Sequence, residues 1–261
     1  MMRMDRRVII RLTWKIRLPV YRPLVSVTAH WRKFWHDRTH RCYRIGVCRL
    51  AALSCLIRAS PSVIGFDINT KRIESLQNNI DENREINAEV LSESAAKFTA
   101  DRTVLQDVTC FIVTVPTPIN QHKKPDLSAL EAASKLVGQH LSTGDLVIYE
   151  STGYPGLTEE VCLPLLQQQS GLTYPQDFAL GYSPERINPG DAQHALAQVV
   201  KIIAADTPQT LMRMRQIYQP VALAGLHEAS SIKVAEAAKV IENIQRDLNI
   251  ALVNELAVIC D

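Results

Sequence analysis

An acidic residue stands at the end of a short apolar segment, residues 63–67 (VIGFD). At the carboxyl end of a parallel strand, such a carboxylate accepts hydrogen bonds from the ribose hydroxyls of a dinucleotide. Asp67 is therefore a candidate nucleotide ligand. The alternative is an acid that stabilises the N-terminus of the next helix through the helix dipole, and the residue alone does not decide between them.

Hydroxyl side chains follow two further apolar runs. Thr117 lies in residues 115–118 (VPTP), and Ser151 and Thr152 lie in residues 150–156 (ESTGYPG). Hydroxyls can donate hydrogen bonds to a cofactor, and the two glycines of the second segment allow the backbone to approach a ligand closely. For the VPTP segment alone, an ordinary loop turn is the better interpretation.

Two pairs of polar residues are candidates for substrate chemistry. Glu185 and Arg186 are adjacent in residues 182–190 (YSPERINPG), where they form either a surface ion pair or a site for a polar substrate. Lys239 and Asn243 are four residues apart near the C-terminus, a spacing that places them on one face of a helix. Apolar neighbours favour burial of one of them, and a solvated helix face is the alternative.

The elements that must position these residues are short apolar runs alternating with segments of helical periodicity. The pattern predicts strands over residues 62–66, 109–115, 145–149, 178–182, 199–204 and 221–224. It predicts helices over residues 69–79, with Asn69 as N-cap, and over 128–141, 157–169, 207–218 and 228–261. This alternation is typical of the α/β class, a parallel sheet with helices on both faces and ligands at the carboxyl ends of its strands.

Together, five segments resemble the UDP-glucose/GDP-mannose dehydrogenase family. Within that family they are most similar to the UDP-N-acetylhexosamine 6-dehydrogenases of Vi-type surface polysaccharide synthesis. The resemblance covers about residues 62–261 and rests on VIGFDINTKRIESLQN, FIVTVPTPIN with KPDLSAL, VIYESTGYPGLTEEVCLPLL, LGYSPERINPGD and AEAAKVIENIQRDLNIALVNELA. It implies an incomplete Rossmann-like NAD-binding domain over residues 61–225. It also implies the start of a central helical domain, which forms a homodimer, over residues 226–261.

The resemblance implies a four-electron oxidation that takes the C6 alcohol of a UDP-N-acetylhexosamine to a carboxylate with two NAD⁺. Lys239 and Asn243 match the residues that stabilise the oxyanion and hold a water. Glu185 matches a glutamate that aids thioester hydrolysis, and Thr117 matches a threonine that positions the catalytic water. Arg186, beside Glu185, joins these as a substrate-binding candidate.

The resemblance also implies a set of NAD contacts. Asp67 matches the acid that binds the adenosine ribose, and Lys71 or Arg72 would lie near the adenosine. Glu150 and Thr152 would line the nicotinamide side. The complete set of cofactor-binding candidates is Gly46, Asp67, Lys71, Arg72, Val115, Thr117, Glu150 and Thr152.

The N-terminal sixty residues differ from the rest of the chain. They carry fourteen basic residues against two acidic ones, all three tryptophans and one of the ten glycines. Where the family has a G-x-G-x-x-G turn, residues 45–52 (IGVCRLAA) keep only Gly46, with Cys48 and Ala51 at the other two positions. Side chains there should obstruct the pyrophosphate and the packing of helix on strand.

We therefore expect a degenerate first β-α unit and hypothesise that residues 1–60, an aberrant and poorly ordered basic segment, arise from a frameshift just before Ser62. Sequencing the encoding DNA tests this hypothesis. It fails if no single shift restores a glycine-rich strand-turn-helix upstream.

The family's nucleophilic cysteine lies in a GG-x-C segment that this sequence does not contain, and Cys260 follows NELAVI without paired glycines. Without that thiolate the aldehyde cannot be held covalently, and from the resemblance we expect the UDP-binding C-terminal domain to be absent from these 261 residues. The expectation is that the 261 residues alone do not catalyse the four-electron reaction. The alternative function is a non-catalytic module for binding or dimerisation.

Composition disfavours several other classes of protein. The six cysteines form no CxxC pair, which favours reduced thiols and a cytoplasmic protein. The sequence contains no run of 18 apolar residues, so no membrane span is predicted. The basic N-terminal residues contain no recognisable nucleic-acid-binding module. A zinc site from His36, His40, Cys42 and Cys48 lacks the expected ligand spacing, so no metal is predicted.

Overall fold

The structure is a computed structural model that describes residues 63–83, 88–94, 96–185, 199–220 and 222–260, together with the backbone of residues 43–45. All of these belong to one compact unit, Arg38–Asp261. The glycine-poor turn, Gly46, Arg186 and nearly all of the predicted aberrant segment 1–60 lie outside the described residues.

An α/β sheet of eight strands forms the centre of the described structure, in the order β3-β2-β1-β4-β5-β6-β7-β8. Strands β1 to β6 pair in parallel, which confirms the predicted sheet class. The strands are β1 (Tyr43–Ile45), β2 (Ile64–Phe66), β3 (Lys97–Thr99), β4 (Cys110–Val113), β5 (Leu146–Tyr149), β6 (Ala179–Tyr182), β7 (Lys201–Ala205) and β8 (Leu226–Glu228).

Strand β7 departs from the parallel arrangement because it runs antiparallel to β6, with Gly181 opposite Ala205. The chain therefore enters β7 at the edge where β6 ends, and β8 then pairs in parallel with β7. The predicted strand over residues 221–224 is wrong at residues 222–224, and residue 221 lies outside the described residues. The Ala222 amide still bonds to the Tyr218 carbonyl, and Gly225 has φ +104°, so residues 222–225 form a turn before β8 begins.

Helices cover both faces of the sheet, as predicted. They are α1 (Thr70–Gln77), α2 (Ala88–Ser92), α3 (Ser128–His140), α4 (Leu163–Ser170), α5 (Pro208–Tyr218) and α6 (Ile232–Cys260). A 3₁₀ turn spans Arg102–Asp107, and a π-helical turn spans Thr158–Cys162 before α4. Asn69 caps α1 as predicted, since its side chain accepts a hydrogen bond from the Arg72 amide. The sequence reading did not predict α2, β3 or the 3₁₀ turn.

The core has two layers because alternate residues of the central strands face opposite sides of the sheet. Phe111 and Tyr149 lie in the layer that includes residues of α3 and α4. Ile112 and Ile148 lie in the second layer, with Met214 and other residues of α5. Burial on both faces explains why β4 and β5 read as continuous apolar runs. Among the described helices, none is long and apolar enough to cross a membrane.

Candidate functional site

Hydrogen bonds connect three loops at the carboxyl edge of the sheet. The Thr117 hydroxyl, after β4, donates to the carbonyl oxygen of Thr152, after β5, at 2.6 Å. The Ser151 hydroxyl donates to the Val115 carbonyl at 2.8 Å, and the Tyr182 hydroxyl, at the end of β6, donates to the Ser151 carbonyl at 3.3 Å. The structure therefore brings together three predicted cofactor ligands, Val115, Thr117 and Thr152, from separate segments.

Asp67 lies at the carboxyl end of β2 and is 8% exposed. Its Oδ1 accepts a hydrogen bond from the Asn69 amide at 2.8 Å. Burial raises the pKa of this carboxyl above its usual value, and the Asn69 amide and the Arg72 charge oppose part of that shift. The carboxylate thus has acceptor capacity left for hydroxyl groups of a ligand, as the prediction requires.

Arg72, and not Lys71, is the buried basic residue beside Asp67. Its Nη2 forms an ion pair with Asp81 Oδ1 at 2.7 Å, whereas Lys71 is exposed. The buried Nε and Nη1 atoms of Arg72 have no hydrogen-bond partner within the part of the chain that the structure describes. Two buried donors next to a carboxylate suit a ligand that offers acceptor atoms, such as a nucleoside.

Glu150 lies in a buried ion pair on the α5 side of the sheet. Its Oε1 is 3.3 Å from Lys201 Nζ, with both side chains 2% exposed. The same oxygen accepts a hydrogen bond from the Tyr218 hydroxyl at 2.7 Å, and the ammonium lies 5.0 Å from the centre of the Tyr218 ring. The predicted contact of Glu150 with nicotinamide stays a prediction. The sequence reading missed Lys201, although a lysine within the apolar run VVKIIAA is a usable signal.

Glu185 is buried in the segment that follows β6. The start of that segment is fixed by Ser183, whose hydroxyl donates to the Ile202 carbonyl of β7 at 2.7 Å. Glu185 therefore lies at the same edge of the sheet as the loops that carry Thr117 and Thr152. Its sequence neighbour Arg186 is outside the described residues, so the structure gives the position of only one member of the predicted pair.

Helix α6 buries Lys239 but exposes Asn243. The buried face of the helix consists of Ile232, Ala235, Glu236 and Lys239. The two predicted residues share a helix face by spacing, and Asn243 lies one turn beyond the point where α6 stops being buried.

The sequence reading did not single out Glu236, whose carboxylate joins α6 to the loop after β5. It accepts hydrogen bonds from the Gly156 amide at 2.6 Å, the Thr158 amide at 2.9 Å and the Thr158 hydroxyl at 2.7 Å. Gly156 has φ +97°, a conformation that favours glycine. An acid on the apolar face of α6, three residues before Lys239, is the signal that could have identified it.

The residues that the structure describes contain no group of three His, Cys, Asp or Glu side chains that could hold a metal ion. The four residues of the candidate zinc site, His36, His40, Cys42 and Cys48, lie outside that part of the chain.

Residues 45–222 match the model of the UDP-glucose/GDP-mannose dehydrogenase family, NAD binding domain. This chain belongs to that family. The match begins at the end of β1 and continues to the turn after α5, so it includes every loop of the carboxyl edge described above. The sequence resemblance is confirmed.

Two relatives in this dehydrogenase family are 54% identical to the chain over the residues that align. A UDP-N-acetyl-D-glucosamine 6-dehydrogenase of Salmonella typhi is 54% identical over 201 residues, which are 77% of this chain and 47% of the relative. An enzyme of the same name from Pseudomonas aeruginosa is 54% identical over 199 residues, covering 76% of this chain and 47% of the relative. The chain thus spans about half the length of these relatives.

Solved structures of the family confirm the fold. The UDP-D-ManNAc dehydrogenase of Pyrococcus horikoshii superposes with a TM-score of 0.74 at 31% identity, covering 83% of this chain and 53% of that one. The NDP-N-acetyl-D-galactosaminuronic acid dehydrogenase of Methanosarcina mazei Go1 gives a TM-score of 0.74 at 27% identity, covering 91% and 54% of the two chains.

Proposed function

We propose that this chain is the cofactor-binding half of an NAD-dependent nucleotide-sugar dehydrogenase. The proposed reaction oxidises the C6 alcohol of a UDP-N-acetylhexosamine to the uronic acid used in surface polysaccharide synthesis, in the cytoplasm. The observation that carries the proposal is the bonded set of loops after β4, β5 and β6, at the edge of the sheet where Asp67 ends β2. The names of the Salmonella typhi and Pseudomonas aeruginosa relatives support the substrate class.

The residues present fit the adenosine end of NAD. The buried carboxylate of Asp67 accepts a hydrogen bond from the Asn69 amide of its own loop and keeps acceptor capacity for the ribose hydroxyls. The Arg72 Nε and Nη1 donors, which have no partner among the described residues, suit acceptor atoms of the adenosine, and Lys71 is exposed nearby. We assign Glu150 and Thr152 to the nicotinamide end, and Val115 and Thr117 lie in the loop that is hydrogen-bonded to theirs.

NAD supplies the hydride acceptor when it is bound, and this chain's own residues act on the sugar. The buried ammonium of Lys239 stabilises the negative charge that develops on the substrate oxygen, because a fixed charge in a dry site interacts strongly. Glu185 assists the hydrolytic step, and Thr117 and Asn243 hold the water. Arg186, beside Glu185, binds the polar substrate.

A titration with NAD⁺ tests the proposal. The purified chain should bind NAD⁺ saturably in calorimetry, with an affinity lowered by Cys48 and Ala51 at the two glycine positions, and the Asp67→Asn variant should bind it still more weakly. Asp177→Asn is the control, because Asp177 lies before β6 at the opposite edge and caps its own turn through the Thr173 amide. If the chain is folded and binds neither NAD⁺ nor NADH at millimolar concentration, the proposed cofactor role is wrong.

The exposed surface of α6 favours a second role, which is dimerisation. Apolar side chains form a stripe at spacings of three and four residues, and each is about half exposed or more. The stripe consists of Ile241, Ile244, Leu248, Leu252, Leu256 and Ile259. Soluble monomers rarely leave such a contiguous apolar surface uncovered, so we infer a homodimer through this helix.

Sedimentation velocity tests the dimer independently of the cofactor. The chain should sediment as a dimer, and Leu248→Glu should shift it to the monomer because a carboxylate cannot be buried unpaired. A control Asn249→Glu variant, adjacent on the exposed helix surface but outside the stripe, should remain dimeric. A monomeric wild-type chain at micromolar concentration contradicts this role. Dimerisation without any binding of NAD⁺ favours the non-catalytic module.

A further inference from the structure

The carboxylate of Glu236 is one of the most deeply buried charged groups among the described residues, with an exposure of 1%. Burial of a carboxylate is costly unless it is hydrogen-bonded. Here three donors form hydrogen bonds with the carboxylate and offset that penalty: two backbone amides and the Thr158 hydroxyl. All three belong to the start of the helical segment after the β5 loop, where the peptide dipoles favour a negative charge.

These hydrogen bonds join two parts of the chain that are about eighty residues apart, since Gly156 and Glu236 are separated by 80 positions. Gly156 closes the ESTGYPG loop, whose earlier residue Thr152 receives the Thr117 hydroxyl. Glu236 lies three residues before Lys239 on the buried face of α6. The contact therefore connects the loop of the nicotinamide end with the helix turn that carries the substrate-side ammonium.

The contact also sets the rotation of α6. Successive residues of an α-helix are about 100° apart, so a rotation by one position would remove Lys239 from the buried face. The rest of that face near Glu236 is Ile232 and Ala235, which are apolar and adapt to several rotations. The hydrogen bonds from the Gly156 and Thr158 amides are directional, so they favour a single rotation of α6.

We propose that Glu236 is a positioning residue that fixes α6 against the ESTGYPG loop, so that Lys239 and Thr152 face one common site. This inference rests on the proposed function only for the role of Lys239. The physical claim concerns the placement of the Lys239 side chain, and it can be measured without substrate or cofactor.

A second contact between the same two segments provides a matched control. Lys233 Nζ lies 2.9 Å from Glu160 Oε1, but these side chains are 53% and 60% exposed. Exposed ion pairs contribute little to stability. Removal of this pair with Glu160→Gln should leave the position of α6 unchanged, whereas loss of the buried contact should alter it.

The experiment measures how fast an amine-reactive acylating reagent modifies Lys239 in the native chain, by peptide mass spectrometry. Lys239 is 6% exposed, and Lys135 of α3, which is exposed and takes part in neither contact, serves as the reference. In Glu236→Gln, an amide nitrogen would face one of the loop donors, so the ratio of Lys239 to Lys135 labelling should rise at least about tenfold. In Glu160→Gln it should stay within about twofold, the small effect expected of an exposed pair.

Two variants of the partner keep the test valid if Glu236→Gln does not fold. Thr158→Val removes only the hydroxyl donor and should raise Lys239 labelling by several fold, whereas Thr158→Ser keeps the donor and should restore the wild-type ratio. A role in stability alone would lower Tm and leave the labelling ratio unchanged, and that result overturns the proposal.

The NAD⁺ titration separates this inference from the proposed function. A chain that binds no NAD⁺ but shows the expected labelling pattern retains the positioning role of Glu236 and loses the cofactor role. A chain that binds NAD⁺ and shows equal Lys239 labelling in Glu236→Gln, Thr158→Val and wild type retains the cofactor role and loses the positioning role.

Discussion

The hydroxyl of Thr117 donates a hydrogen bond of 2.6 Å to the carbonyl oxygen of Thr152, 35 residues later in the chain. Because the hydroxyl proton is committed to this bond, the lone pairs of the same oxygen are the part of the group that can serve a water or a ligand. A single side chain thus connects two loops and presents an acceptor at the site.

Replacement of Thr117 tests both roles. Thr117→Val should weaken NAD⁺ binding by about fivefold to tenfold, since one hydrogen bond of about 1 kcal/mol is lost and the two loops separate. Thr117→Ser keeps the hydroxyl and should bind like the wild type. Calorimetry measures both affinities. Equal affinity in all three proteins would show that the bond does not order the cofactor site.

Asp67→Asn should weaken NAD⁺ binding by about 10-fold to 100-fold, the effect of losing one charge-assisted hydrogen bond to the ribose. The affinity of the wild type should also fall as the pH is lowered through the raised pKa of Asp67, because protonation removes the acceptor charge. Asp67→Asn should show a flatter pH profile. Parallel profiles for the two proteins would exclude Asp67 as the titrating ligand.

The contribution of Asp67 to the free energy of unfolding should depend on pH with the opposite sign to that of an ion-paired carboxylate. Burial raises the pKa of Asp67 in the folded chain above its unfolded value. Ionisation of Asp67 therefore favours the unfolded state. The stability that the neutral carboxyl contributes is lost as the pH rises through its folded pKa. The free energy of unfolding of Asp67→Asn, relative to wild type, should increase from pH 3 to about pH 7. Urea denaturation at several pH values measures this, and a decrease over that range contradicts it.

Lys201→Met should destabilise the chain by about 3–5 kcal/mol, because it leaves the Glu150 carboxylate buried without its ammonium. Glu150→Gln combined with Lys201→Met should recover much of the loss, since a neutral amide then replaces the buried carboxylate. Urea denaturation of the single and double variants gives the coupling energy. Additive losses would show that the two groups act independently.

A thiol reagent applied to the native chain should modify Cys260 quickly and should spare Cys110 and Cys162. Cys260 is exposed, whereas the other two are buried. Burial also raises the pKa of Cys162 to about 12, which leaves almost no thiolate at neutral pH. Peptide mass spectrometry assigns each site, with urea-unfolded chain as the control. Rapid labelling of Cys162 under native conditions contradicts this assignment.

The amino-acid sequence predicted the elements with a strong periodic signal. Strands β4 and β5 are apolar at every position, and α1 begins with the hydroxyl and amide side chains that favour a helix N-terminus. The predicted ends differ from the structure by a few residues, as fraying makes common. The direction of β7 was not predictable, because residue alternation is the same in parallel and antiparallel strands.

The candidate site was predictable as a set of loops but not as a set of contacts. Thr117 and Thr152 each follow a strand, so their position at one edge follows from the sheet class. The partners of Glu150 and Glu236 come from distant segments, and no local pattern links Glu236 with Thr158. Which acid of α6 is buried depends on how the helix rotates against the sheet, a tertiary property.

Strand β1 lies in the middle of the sheet, where its backbone pairs with both β2 and β4. These ladder bonds use main-chain groups that every residue except proline provides, so they place few demands on side-chain identity. The next residues of the chain keep Gly46 but have Cys48 and Ala51 where the family uses glycines. The order of the strands and the recognition of phosphate therefore depend on different residues at this junction. A sequence change that removes the glycines of the turn can leave the order of the strands unaltered.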